Sequence, residues 1–161
     1  MRILVYEFVS AGGFGDRDVP ASLAREGAAM LGALTTDLVM LRQHTIVTTI
    51  DPRFNAGLQA AVPRGVRIVA TTGRRADLDA LFASVDAVWL VAPEIDGSLA
   101  RLAERVERQG TRLLGSGARA IRRAADKSRL ANLLARNGIP HPDTRVARSD
   151  AQCCLAARAL R

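Results

Sequence analysis

The sequence predicts a doubly wound α/β domain, and three observations lead there. Short runs that are apolar on both faces recur through the first two thirds of the chain. Segments with apolar residues at three and four spacing alternate with those runs, and Gly, Pro and Asp punctuate their ends. Strands buried on both faces and separated by helices belong to a parallel sheet joined by right-handed crossovers.

Each element can be read in order. Ile3 to Val9 is an apolar and aromatic run broken only by Glu7, and Ala11, Gly12, Gly13, Phe14 and Gly15 follow it: a buried strand and a glycine loop. Pro20 suits a helical first turn, and Leu23, Ala24, Met30, Leu31, Leu34, Leu38 and Leu41 supply an apolar stripe for a helix from about Pro20 to Leu41, which Gly27 and Gly32 weaken. Thr45 to Ile50 and Val66 to Ala70 are β-branched runs that read as strands. Ala76 to Val85 reads as a short helix, Ala87 to Ala92 as a strand stopped by Pro93, and Gly97 to Gln109 as a helix closed by Gly110. Arg112 to Gly115 supplies a last strand. The alternation then changes. Ala118 to Asn137 reads as one helix ended by Gly138, Ile139 to Arg145 as a proline-bearing connector, and Ser149 as the cap of a helix running to the terminus.

Length and composition agree with a soluble domain. The chain has 161 residues, 48% hydrophobic and 24% charged, and a domain of this size buries about 70% of its unfolded surface, enough for a core without disulfides or metal. No apolar stretch is long enough to span a bilayer and no signal peptide is visible, so the expected location is cytoplasmic. Cys153 and Cys154 are adjacent and can neither staple distant elements nor begin a metal site. The net charge of +7 is uneven: residues 1 to 100 carry 9 basic and 11 acidic side chains, residues 101 to 161 carry 14 and 5. The second part is where an anion is drawn. Its arginines stand mostly at helical spacing on what reads as solvated surface, and aromatics make up only 4%, which disfavours nucleic acid as a partner.

Ligands of open parallel sheets gather at the carboxyl ends of the strands. Gly12 and Gly13 fall there, with backbone N–H groups that an anion could approach, but the loop does not follow the G-x-G-x-x-G dinucleotide pattern. Asp51 closes the second strand, and Glu94 and Asp96 follow the fourth, so these carboxylates form a candidate substrate rim for an amine or a hydroxyl. Each also suits a turn or a cap, as Asp before Pro and before Gly commonly does. No nucleophile elbow, P-loop or zinc spacing is present, and His44 and His141 are far apart.

Several strings resemble the amino-terminal part of ATP-grasp ligases: Y-E-F-V-S-A-G-G at Tyr6 to Gly13, A-P-E-I-D-G at Ala92 to Gly97, L-G-S-G at Leu114 to Gly117, A-D-K at Ala125 to Lys127, and N-G-I-P-H-P-D-T at Asn137 to Thr144. Within that superfamily they look most like the tyramine–glutamate ligase group of methanofuran-type cofactor biosynthesis. The resemblance implies a pre-ATP-grasp α/β domain over residues 1 to 116 and, over 117 to 161, a linker helix and the helical start of a truncated ATP-grasp subdomain. It implies ATP and Mg2+ as cofactors of the parent enzyme, a carboxylate and an amine as substrates, an acyl-phosphate intermediate, and Lys127 as a contact to ATP phosphate, work for which a compact point charge is suited. The metal ligands are expected beyond Arg161, which would leave these 161 residues inactive alone. Ala11 and Gly117 depart from the family pattern, at a third consecutive glycine and at a small hydroxyl residue respectively. The alternative is a stand-alone small-ligand-binding α/β module without catalysis. The last helix, with Cys153, Cys154, Leu155, Ala156 and Leu160 on an apolar face, is expected to seek a partner, and a homodimer is one outcome.

Overall fold

The computed structural model describes residues 1–54, 60–71 and 74–159, and these form two compact units, Met1–Ala118 and Arg119–Arg161. Leu160, placed at sequence level on the last apolar face, lies outside the described residues.

The first unit is the α/β domain. Its strands are β1 (Arg2–Glu7), β2 (Thr45–Ile50), β3 (Arg67–Ala70), β4 (Ala87–Val91) and β5 (Arg112–Leu113). They form one five-stranded sheet in the order β3-β2-β1-β4-β5, parallel at every pairing. Its helices are α1 (Ala21–Met40), α2 (Arg75–Ala83) and α3 (Ser98–Arg108). The fold class and the order of elements are those predicted, with ends shifted by one or two residues.

The pleat of β1 distributes the core. Leu4 and Tyr6 point to one face and pack in a cluster with Leu78 and Phe82 of α2 and Leu102 and Val106 of α3; Ile3 and Val5 point to the other and pack with Leu31 and Leu38 of α1. Tyr6 meets Phe82 edge-on, with ring centroids 5.9 Å apart. Because β1 is central, five of its six residues are buried, which is why its run is apolar but for Glu7. The β3 edge is mostly exposed. Strand order reverses between β1 and β4, so the loops that leave these two neighbours run to opposite faces and open a crevice at their carboxyl ends.

The second unit holds α5 (Lys127–Arg136) and α6 (Asp150–Ala159), with most of α4 (Ala118–Ala125) before them. The single helix expected from Ala118 to Asn137 is two. Asp126 takes an extended conformation, φ −84° and ψ 99°, and its carboxylate accepts a hydrogen bond from the Arg129 amide at 3.0 Å. An aspartate that can satisfy the first orphan amides of a new helix competes with helix continuation, and here that local bond ends α4 and starts α5. Ser149 caps α6 as expected: its hydroxyl accepts from the Gln152 amide at 3.3 Å, while the Gln152 side chain accepts from the Arg148 amide at 2.8 Å. Leu155 is 65% exposed on α6, and both cysteines are free and exposed. Among the described residues no helix is long and apolar enough to cross a membrane.

Candidate functional site

The crevice is built from the loop after β1, the turn after β2 and the loop between β4 and α3. Glu7, at the end of β1, is 1% exposed. Its two carboxylate oxygens accept from the Val9 amide at 3.0 Å and the Ser10 amide at 2.7 Å, so the charge is spent on turning the chain. The glycine loop differs from the expected anion cradle. The amides of Ala11, Gly12, Gly13 and Gly15 donate to the carbonyls of Glu7, Val9, Phe8 and Gly12 at 2.8 to 3.2 Å. A turn this tight consumes its own donors and leaves none of these four to face a ligand.

Gly12 has φ +77°, and a Cβ there would stand 2.3 Å from Asp51 Oδ2. Asp51, 1% exposed, therefore lies behind the loop. Its amide donates to Ser10 O at 2.7 Å, and its carboxylate accepts from Arg53 through Nη2 at 2.7 Å, Nε at 3.1 Å and the backbone amide at 2.9 Å. The Arg53 guanidinium holds the Asp51 carboxyl below the usual carboxylate range. Arg53 also donates to Gly15 O at 2.6 Å, so this pair ties the β2 turn to the β1 loop. The Arg53 guanidinium itself is partly exposed.

Glu94 and Asp96 are exposed in the loop after β4. Asp96 has φ +53°, a conformation aspartate tolerates better than most residues, and Gly97 follows with φ +68°. The Arg101 side chain donates to Asp96 O and, at 3.2 Å, to Ser98 Oγ, closing the loop onto α3.

Two cavities adjoin along this crevice and share Phe8, Arg17, Asp96 and Ser98. One, about 290 Å³, is walled by Phe8, Phe14, Leu23, Met30 and Pro93, with Glu26 and Asp96 as the carboxylates of its lining that are not held by the β1 turn. The other, about 450 Å³, has Tyr6 and Phe8 in its lining with Arg17, Arg75, Arg101, Arg105 and Arg108. Of the expected substrate-side residues, Gly13 and Asp96 line these cavities; Gly12 and Asp51 brace the loop, and Glu94 lines neither.

The arginines are what sequence reasoning missed. Arg101, Arg105 and Arg108 stand at i, i+4 and i+7 on α3, a spacing that reads as solvated surface; Arg101 and Arg108 are exposed, but Arg105 is 13% exposed, bonded to Asp79 at 2.9 Å and lying over the Phe82 ring. The signal was their shared stripe, but α2, which completes the cavity wall, is far away in sequence. Glu7 was visible as the one charge in an apolar run.

Lys127 is the only lysine of the chain. It is exposed at the first position of α5, directly after the Asp126 cap. Among the described residues no three His, Cys, Asp or Glu side chains converge to hold a metal ion, so no step through Mg2+ is derived from this chain.

Comparison with known proteins finds relatives of this fold. Residues 44–121 match the pre ATP-grasp 3 domain. Over 60 residues the chain is 43% identical to the carbamoyl phosphate synthase large chain of Rubrobacter xylanophilus, covering 37% of this chain and 6% of that protein. Among solved structures, one assigned to the ATP-grasp superfamily, from Archaeoglobus fulgidus, matches over 93% of this chain and 44% of its own length, with a TM-score of 0.71 and 23% identity. The biotin carboxylase domain of a single-chain bacterial carboxylase matches over 98% of this chain and 34% of its own, with a TM-score of 0.56 and 19% identity. The chain thus spans less than half the length of each of these relatives. It carries a pre ATP-grasp domain match across residues 44–121, on an α/β fold shared with ATP-grasp superfamily structure.

Proposed function

We propose that this chain is the amino-terminal portion of a cytoplasmic ATP-dependent ligase that joins a carboxylate to an amine, with glutamate-like and tyramine-like substrates. The observation that carries the reading is the pre ATP-grasp match over residues 44–121, which includes β2 to β5 and the β4 loop. The paired cavities support the substrate classes. An apolar cavity with Glu26 and Asp96 in its lining suits an amine with an aromatic body, and the adjoining arginine cavity suits an acid. Residues 1–116 then serve as the substrate domain and 117–161 as the lead into the ATP-binding subdomain. Lys127 supports the nucleotide side: where every other fixed positive charge of the chain is an arginine, the one lysine stands exposed at a helix start. In this reading the metal ligands belong to a part of the enzyme outside these residues, and the chain alone is inactive.

The test is the intact mass of the protein from its native source, set against the 17.2 kDa of this sequence, followed by ATP-dependent phosphate release with glutamate and tyramine. A mass near twice this value with turnover, lost in Lys127→Ala, supports the ligase. A native mass of 17.2 kDa without turnover overturns it and leaves a stand-alone binding module.

A further inference from the structure

We propose that the arginine-walled cavity at the carboxyl end of β1, between the β1 loop, α2 and α3, is a binding site for a compact polyanion bearing carboxylate or phosphate groups. Five guanidinium groups line it against the carboxylates of Asp96 and Glu104. Arg17, Arg75, Arg101 and Arg108 are exposed, and what separates Arg17 and Arg101 from ordinary surface arginines is how they are held. Arg17 donates to Phe14 O at 3.2 Å and lies over the Phe14 ring at 5.3 Å. Arg101 is anchored by the Asp96 carbonyl and the Ser98 hydroxyl. Both are therefore fixed by uncharged partners, which orient the cation without neutralising it. Such preorganised charge is available to a ligand at little further ordering cost. Arg105 differs, since Asp79 pairs with it and fixes the wall between α2 and α3.

Tyr6 supplies the second observation. It is 1% exposed and lines the cavity, so its phenol belongs to the cavity wall. A phenol in a cavity wall offers a hydrogen-bond donor, for which an anion oxygen is a suitable acceptor. Burial pushes its pKa up to about 12, so it remains a donor. The cavity volume of about 450 Å³ lies within the range of small-molecule sites. Guanidinium forks match carboxylate and phosphate alike, which sets the shared chemistry.

The inference deepens the ligase reading by giving its acid a seat, and its identification of the ligand as a substrate rests on that reading; the binding itself does not. The experiment is calorimetric titration of the 161-residue chain at low salt, without ATP, using glutamate and citrate in one arm and pyrophosphate in the other. Saturable binding with one molecule per chain is expected in at least one arm, and the stronger arm identifies the group. Loss of a charge-assisted bond in Arg101→Ala, or in Arg75→Ala with Arg108→Ala, weakens it about tenfold or more. Tyr6→Phe weakens it with the thermal midpoint of Trp89 fluorescence kept near wild type, and Arg112→Ala, outside the cavity, leaves it unchanged. Absence of saturable binding in both arms overturns the proposal, as does equal weakening by Arg112→Ala, the mark of diffuse surface charge. Failure here with phosphate release intact in the native enzyme would refute the site and spare the ligase; the reverse would spare the site.

Discussion

Replacing Gly27 by alanine should destabilise the first unit, against the ordinary sign for such a change. In an open helix interior, Gly to Ala gains about 1 kcal/mol. At Gly27 of α1 the added Cβ would stand 2.6 Å from Glu7 Oε2, 3.0 Å from its Cδ and 3.1 Å from Val9 Cβ, where ordinary contact begins at 3.4 Å. Either α1 moves away from β1, an overpacking cost of about 2 kcal/mol, or the Glu7 carboxylate swings out. The second route breaks its bonds from the Val9 and Ser10 amides, and two charge-assisted bonds are worth about 4 kcal/mol together. Subtracting the helix gain leaves a net loss of about 1 to 3 kcal/mol, a fall in Tm of roughly 3 to 10 °C for a chain of this size. Trp89, the single tryptophan, sits in β4 beside β1 and reports unfolding of this unit by fluorescence. Ala29→Gly, at an exposed position of the same helix, should lose about 1 kcal/mol and gives the scale of the backbone effect. In the double variant with Glu7→Ala the two losses should fall short of additivity, because the clash is gone. A Gly27→Ala protein with a higher Tm than wild type would refute the close approach on which this reasoning stands.

Gly12→Ala should cost more, because it combines a left-handed φ with a Cβ 2.3 Å from Asp51 Oδ2; a Tm equal to wild type would show that the loop is not braced by Asp51. The Asp51 carboxyl is depressed by Arg53, so its contribution is complete above the unfolded value of about 3.9 and is lost as pH falls through the lower folded value. Asp51→Asn should therefore flatten the fall of Tm below about pH 4, and an unchanged acid slope would exclude the pair as its source. Asp126→Ala should remove the cap that separates α4 from α5, at a cost of about 1 kcal/mol, read as faster amide exchange over Lys127–Leu130; unchanged exchange would assign the break to something else. For α6, with Leu155 65% exposed, light scattering at high concentration should show association, and a strict monomer would count against it.

The fold was legible because a parallel sheet buries both faces of its strands. Leu4, Val47 and Val88 are apolar for a reason that local sequence exposes, and the helices between them announce themselves by spacing. Composition also located the positive charge in the second part of the chain, and the A-D-K string singled out Lys127. What neighbours in sequence could not decide was which polar groups end up together. Gly27 looked like a weakness in a helix until β1 brought the Glu7 carboxylate against it. Asp51 looked like a substrate rim until Arg53 and the β1 loop enclosed it. The arginines of α3 read as solvated, and Arg101 and Arg108 are exposed, but only α2, Tyr6 and the β1 loop join them with Arg105 in one cavity wall. Periodicity depends on which way a residue faces along its own element, and the sequence states that. The partner of a charge depends on which strands become neighbours, and here that is settled only when the order β3-β2-β1-β4-β5 sets the β1 and β4 loops side by side.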